Sequence, residues 1–156
     1  MSTVNPIPDG YPRVSPYLFV GGAAAAIDFY ISVLGAEQRG DRMVGPDGRI
    51  GHAELTIGNS VIMLADEYPE IGARGPKTVG GSPVMLNVYV ADVDAVWAKA
   101  MAAGAVELRP LGNQFYGDRT GTFEDPFGHR WSVASHVEDV PPAEMAARAK
   151  AAMGGS

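Results

Sequence analysis

The 156-residue chain contains no cysteine. Disulfides, zinc ribbons and thiolate catalysis are therefore excluded. It is also short of positive charge. Twelve Lys and Arg stand against 18 Asp and Glu, a formal net charge of -6, and the bases form no cluster. A chain of this kind is poorly suited to nucleic acid or an anionic lipid surface. No apolar run approaches the ~20 residues that span a bilayer. The opening, Met1-Ser2-Thr3-Val4-Asn5-Pro6, has neither the basic start nor the apolar stretch of a signal peptide, so the expected location is the cytoplasm. A P-loop is absent, and Gly21-Gly22 lacks the spacing and parallel-sheet context of a dinucleotide site. The sequence supports no Ser-His-Asp arrangement.

What is present is an ordinary globular composition, with 46% hydrophobic residues. The length suits one domain or two small fused halves. Folding at this size buries roughly 68–70% of the unfolded chain's surface, enough for a core with a pocket in it. Residues Met1 to Pro12 carry Pro6, Pro8 and Pro12 and read as an extended arm. Val14 to Val20 is a strand, with Pro16 placing its start at an edge. Ala23 to Leu34 is a helix by the spacing of Ala23, Ala26, Ile27, Tyr30, Val33 and Leu34, and Gly35 stops it. Strands are expected at Glu37 to Val44, Arg49 to Ile57 and Ser60 to Asp66. Gly45-Pro46-Asp47-Gly48 and Gly58-Asn59 form the turns between them. Glu67 to Pro83, rich in Gly and Pro, reads as a linker.

The order then repeats. Val84 to Val90 is a strand, and Asp92 caps a helix at Val93 to Ala103. A short strand at Val106 to Leu108 is followed by a loop at Pro110 to Gln114. Tyr116 to Glu124 and His129 to His136 are the last strands, joined at Asp125-Pro126-Phe127-Gly128. A terminal helix, Ala143 to Met153, begins after Pro142 and carries a Glu144–Arg148 pair. It is an appended clasp, packed on its own chain or on a partner. Each βαβββ unit leaves a sheet face uncovered, and two units must pair to bury it.

Two stretches resemble the vicinal-oxygen-chelate superfamily, which includes glyoxalase I, ring-cleaving dioxygenases and bleomycin-resistance proteins. One is Ala26-Ile-Asp-Phe-Tyr30 through Leu34-Gly35; the other is Asp125-Pro-Phe-Gly-His-Arg-Trp131. Val90-Ala-Asp-Val-Asp94 with Gly104-Ala105 supports them. Gln114-Phe-Tyr-Gly-Asp-Arg119 with His52-Ala-Glu54 looks most like its PhnB-like branch. The resemblance implies an α+β fold: two βαβββ modules, about 14–66 and 84–136, forming a curved mixed sheet with a central cleft. They make a single domain over 1–136, with a C-terminal helix and tail over 137–156. It also implies a homodimer. Metal enzymes of the superfamily place ligands on the first and last strand of each module. Those positions fall here near Ser15, Met63 and Met85 and at Ser132. Thioether and hydroxyl are poor substitutes for imidazole and carboxylate, so the usual metal site is not expected.

Several other residues can still carry chemistry. His52 and Glu54 project from one strand face; they bind an ion or act as a base pair, or else form a polar ladder with Glu54 paired to an arginine. Met85, Asn87 and Tyr89 share a face, as do Ser15, Tyr17 and Phe19, and both sets are either cleft lining or core. Tyr116 and Arg119 belong to a mixed aromatic and polar segment. There Arg119 clamps an anionic ligand or pairs locally with Asp118. His129 reads as structural, and His136 shares the face of Ser132. The expected function is binding of a small, partly hydrophobic molecule in the inter-module cleft. Tyr17, Met63, Met85, Asn87, Tyr89, Tyr116, Arg119 and Ser132 are the ligand-binding candidates, and no cofactor is expected. The alternative is a lyase, isomerase or dioxygenase with a divalent metal at a shifted site on His52 and Glu54. No nucleic-acid or membrane partner is expected.

Overall fold

A computed structural model of the chain describes residues 3–154. Met1 and Ser2 of the expected arm, and Gly155 and Ser156 of the tail, lie outside the described residues. The chain divides into two compact units, Met1–Gly81 and Ser82–Ser156.

In the first unit, β1 (Tyr17–Val20) leads into α1 (Ala23–Leu34), and β2 (Glu37–Val44), β3 (Ile50–Ile57) and β4 (Ser60–Asp66) follow. The strands lie in the order β1-β4-β3-β2, with β1 parallel to β4 and the other pairs antiparallel. Alternation along each strand sorts the side chains. Leu18, Val20, Ala53, Leu55, Ile62 and Leu64 are buried, as are Ala23, Ala26, Ile27, Tyr30 and Val33 of α1. The expected boundaries of α1 hold, and Gly35 ends it at φ 68°, a left-handed conformation that glycine adopts freely. The opposite sheet face carries Tyr17, Met63, Glu54 and His52, by the pairings Tyr17↔Met63 and Glu54↔Met63. β2 is polar from Glu37 to Arg42, as suits an edge strand, and ends in the exposed Met43 and Val44.

The second unit repeats the plan. β5 (Met85–Tyr89), α3 (Val93–Ala102), β6 (Val106–Asn113), β7 (Asp118–Glu124) and β8 (Arg130–His136) give the order β5-β8-β7-β6, again with the first and last strands parallel. Trp131, Phe123 and Val133 are buried beneath α3 residues Val93 and Ala100. Trp131 donates its indole N–H to Asp125 Oδ2 at 3.0 Å, and Asp125 Oδ1 accepts the backbone N–H groups of Phe127 and His129. One buried aspartate thus holds both the turn and the largest core side chain. Burying an aromatic of this kind contributes about 1.5–3 kcal/mol.

Three expected boundaries are corrected. β6 does not stop at Leu108; it runs on through Pro110 to Asn113, with register shifts either side of Arg109. Proline is tolerated because β6 is the sheet edge and the ladder is irregular there. β7 begins at Asp118 rather than Tyr116, because Gly117 N–H bonds back to the Gln114 carbonyl in a turn. β1 begins at Tyr17, after Pro16, whose carbonyl accepts the Met63 N–H. The Gly- and Pro-rich linker holds a 3₁₀ turn (Pro69–Ile71) and a short helix α2 (Pro76–Val79), each with a proline in its first turn. The terminal helix α4 (Pro142–Ala152) has no buried residue. Arg148 ties it to Glu138, Glu144 and the Phe115 carbonyl.

Candidate functional site

Strand β3 presents His52 and Glu54 on the sheet face that α1 does not cover. His52 Nε2 lies 2.7 Å from Glu54 Oε2, and His52 Nδ1 lies 2.8 Å from the Tyr17 hydroxyl on β1. Glu54 Oε1 accepts the Tyr11 hydroxyl at 2.7 Å, and the Arg39 guanidinium stands 3.7 Å from it. Arg39 also stacks 4.1 Å above the Tyr11 ring and donates to the Gly10 carbonyl. The proline-rich arm is therefore pinned against the sheet by a single acid. The bonds from His52, then Tyr11, hold Glu54 below the usual carboxylate range, against the smaller opposing effect of burial. Burial first, and the Glu54 charge second, raise the Tyr17 phenol.

Beside these groups is a cavity of about 590 Å³ lined by Pro8, Tyr11, Pro12, Arg13, Ser15, His52, Glu54 and Met63. Its volume lies within the roughly 300–1,000 Å³ of small-molecule sites. A second hollow, about 320 Å³, has Tyr17 and Phe19 in its wall with Ala65, Tyr68, Ile71 and Ala73. Tyr17 and His52 form the boundary between the two, their rings 5.4 Å apart.

The second unit is furnished differently. Tyr89 donates its hydroxyl to Asp118 Oδ2 at 2.6 Å, and His136 bridges Asp118 Oδ1 and Asp139 Oδ1 at 2.8 and 2.7 Å. Burial pushes the Asp118 carboxyl up, but the bonds from Tyr89 and His136 outweigh it and leave a net lowering. Those bonds to Asp118, then Asp139, raise the His136 imidazole. Ser132 is buried, 3.1 Å from the Thr120 hydroxyl, and Asn87 pairs with it across β5 and β8. Met85 lines a smaller cavity of about 270 Å³ with Arg109, Thr122 and Arg130.

The structure thus brings four expected site residues together in the first unit: Tyr17, His52, Glu54 and Met63. Met85, Asn87, Tyr89 and Ser132 share the open face of the second sheet. Tyr116 sits in the turn before β7, its ring 5.3 Å from Phe115. Arg119 is on the other side: it forks onto Asp94 of α3, 25 residues away in sequence, at 2.8–3.2 Å and reaches Asn113, in place of the expected pairing with Asp118. The sequence reading missed Tyr11, Arg13 and Arg39. An aromatic and a cation set among turn-forming prolines just before β1 were the available signal.

The four positions that correspond to the superfamily's metal ligands, Ser15, Met63, Met85 and Ser132, do not fit a divalent ion. Ser15 and Met63 line the larger cavity, but neither offers imidazole or carboxylate, and Met85 and Ser132 do no better. His52 has both ring nitrogens engaged by Tyr17 and Glu54. Among the described residues, no three His, Asp or Glu side chains meet in a way that could hold a metal.

A family model described as the Glyoxalase/Bleomycin resistance protein/Dioxygenase superfamily matches residues 11–133. The chain belongs to this superfamily. It is 42% identical over 139 residues to protein Rv0887c of Mycobacterium tuberculosis (strain ATCC 25618 / H37Rv), covering 87% of this chain and 81% of that one. Protein PA1353 from Pseudomonas aeruginosa superposes with a TM-score of 0.66 at 22% identity, over 81% of this chain and 99% of that one. A Bacillus cereus structure titled as a putative 3-demethylubiquinone-9 3-methyltransferase, PhnB protein, gives a TM-score of 0.61 at 23% identity, over 80% and 99%. These two structural likenesses carry the fold. Among the described residues, no helix is long and apolar enough to cross a membrane.

Proposed function

We propose that the chain binds a small, partly hydrophobic molecule on the open face of its first sheet. On this reading the superfamily's four metal-ligand positions, near Ser15, Met63, Met85 and Ser132, hold no ion. The observation that carries the reading is the cavity of about 590 Å³, walled by Pro8, Pro12 and Met63 and edged by the polar groups of Tyr11, Arg13, His52 and Glu54. Apolar walls with a few convergent polar groups are the usual make-up of a small-molecule site. The partner on this reading is a second copy of the chain. Met85 and Tyr89 stand 54% and 61% exposed on the open face of the second sheet, and exposed apolar area of this kind favours association.

The test is thermal stabilisation by 2-naphthol, a planar aromatic with one hydroxyl. Binding to the folded state alone raises the melting temperature. Met63→Lys, which sets an ammonium group in the cavity wall, is expected to weaken the apparent Kd at least tenfold. An unchanged Kd for Met63→Lys contradicts the placement. Elemental analysis after incubation with Mn, Fe, Ni and Zn checks the metal statement. One ion per chain, lost in the His52→Ala/Glu54→Ala double variant, would return the metal-dependent lyase, isomerase or dioxygenase. Sedimentation of the full chain is expected to report a dimer.

A further inference from the structure

The hydrogen bonds around His52 have a direction. Glu54, ionised, only accepts, so the hydrogen between them belongs to His52 Nε2. That leaves Nδ1 with its lone pair, and the Tyr17 hydroxyl 2.8 Å away donates to it. The Gly51 carbonyl, at 3.4 Å, is a much longer second acceptor for the same hydroxyl. The sequence hydroxyl, imidazole, carboxylate is the arrangement by which a base draws a proton from a neighbouring group while an acid steadies the charge it acquires. Here the carboxylate is itself fixed, by Tyr11 and Arg39.

The far end of the chain is open. Tyr17 is 41% exposed and forms part of the second hollow, with Phe19 5.2 Å away and Ala65, Tyr68, Ile71 and Ala73 around it. Arg49 over the Tyr68 ring at 3.9 Å holds that wall in place. No charged side chain lines this hollow. Its occupant is therefore neutral and aromatic or aliphatic, and of the two tyrosines in its wall, Tyr17 and Tyr68, Tyr17 is the one whose hydroxyl is joined to an imidazole.

We infer that Tyr17, His52 and Glu54 form a metal-independent proton relay that enolises a neutral aromatic ketone seated against Tyr17 and Phe19. The inference rests on the proposed binding at this sheet face, extends it from the cavity at Met63 into the hollow that adjoins it across Tyr17 and His52, and adds a reaction class to it. In the forward step, the C–H bond beside the carbonyl breaks. Its electron pair forms the carbon–carbon double bond, and the carbonyl π pair moves to oxygen. The proton passes to Tyr17 Oη as Tyr17's own proton passes to His52 Nδ1, giving an imidazolium paired with Glu54. The reverse transfer returns a proton to carbon or to oxygen. Nothing is oxidised or reduced, and no further reactant is consumed.

The probe is 2-tetralone in D₂O with the full-length protein. Proton NMR follows its binding through line broadening, and its enolisation through loss of the benzylic signal. The relay requires deuterium incorporation well above buffer, competed by 2-naphthol, which resembles the enol. Tyr17→Phe removes one exposed hydroxyl and should slow exchange at least ~100-fold with binding retained, the usual range for a positioned acid–base group. His52→Ala should lose exchange similarly and regain part of it with free imidazole, a rescue that a purely structural role would not show. Binding without exchange above buffer overturns the relay and leaves the binding reading standing. Exchange unaffected by Tyr17→Phe also overturns it. Absence of 2-tetralone and 2-naphthol binding overturns both readings.

Discussion

The two units share one frame, and their differences show what each part of that frame does. Pairing registers align them residue by residue: Leu18↔Leu64 corresponds to Val88↔Val133, and Ala53↔Leu64 to Gly121↔Val133. On the helix side, Gly121 lies against Trp97 of α3, and the same positions of the first unit are Ala53 and Ile27 of α1. A Cβ on Gly121 would stand 2.6 Å from the Trp97 ring. The sheet residue loses a methyl where the helix residue gains an indole, so volume is shifted across the helix–sheet contact while the arrangement is kept. At the end of the last strand, Asp66 accepts the N–H groups of Gly22, Ala23 and Ile50, and its counterpart Ser135 accepts from Val93 and donates to the Val90 carbonyl. Both bind the start of the helix to the sheet. On the open faces the likeness ends. Glu54 and His52 in the first unit correspond to Thr122 and Thr120 in the second, and the second unit's acid–imidazole pair has moved to the strand ends at Asp118 and His136.

The largest test of this equivalence is core truncation at Trp131 and its counterpart Ile62. Trp131→Ala should cost about 4 kcal/mol and Ile62→Ala about 3 kcal/mol in denaturant unfolding. The tryptophan costs more because Asp125 also loses the indole N–H. Next is the helix tie. Asp66→Ala orphans three backbone N–H groups and should cost about 3 kcal/mol, against about 1 kcal/mol for Ser135→Ala. Equal costs would break the comparison at that point.

Gly121→Ala should cost about 2 kcal/mol by overpacking against Trp97. The double variant Gly121→Ala/Trp97→Ile recreates the first unit's pairing and should recover most of that loss, a coupling that a mutant cycle measures. If the double variant is no better than the sum, the volume exchange is not what sets these residues.

The smallest effects are in pH dependence. Glu54 is held low, so its support is present above the ordinary carboxylate range and is lost as pH falls through its lowered value. Asp118 acts with the same sign in the second unit. His136 is held high, so its support is complete below the ordinary imidazole value and disappears as pH rises through the raised one. The neutral-to-alkaline fall in melting temperature should therefore shrink in His136→Asn, and the acid fall should shrink in Glu54→Gln.

Much of the fold was legible because its signals are local. The spacing of Ala23, Ala26, Ile27 and Tyr30, the glycine after each helix and the Asp125-Pro-Phe-Gly turn each act within a few residues. The extent of β6 was not legible, because Pro110 and the glycine-containing end read as a loop until the edge position of the strand is known. For the site, His52 and Glu54 were visible from period-two spacing alone. Tyr17 was visible as an aromatic on a strand, but not as a hydrogen-bond partner of His52, 35 residues distant. Tyr11 was invisible for the same reason, because it meets Glu54 only once the arm crosses the sheet, whereas Arg39 meets Glu54 through the β2–β3 register, which gives the expected arginine partner its identity. Arg119 reads in sequence as an anion clamp or a partner of Asp118, and only the packing of α3 on β7 shows that Asp94 holds it.

The most direct test of the account places the ligand by methionine methyl NMR. The seven methionines give one resonance each, and Met63 marks the first unit's cavity while Met85 marks the second unit's open face. On titration with 2-naphthol, the account expects the Met63 methyl to shift and saturate, with Met101 and Met145 still. A Met63 resonance that stays fixed while the compound binds would contradict the central claim.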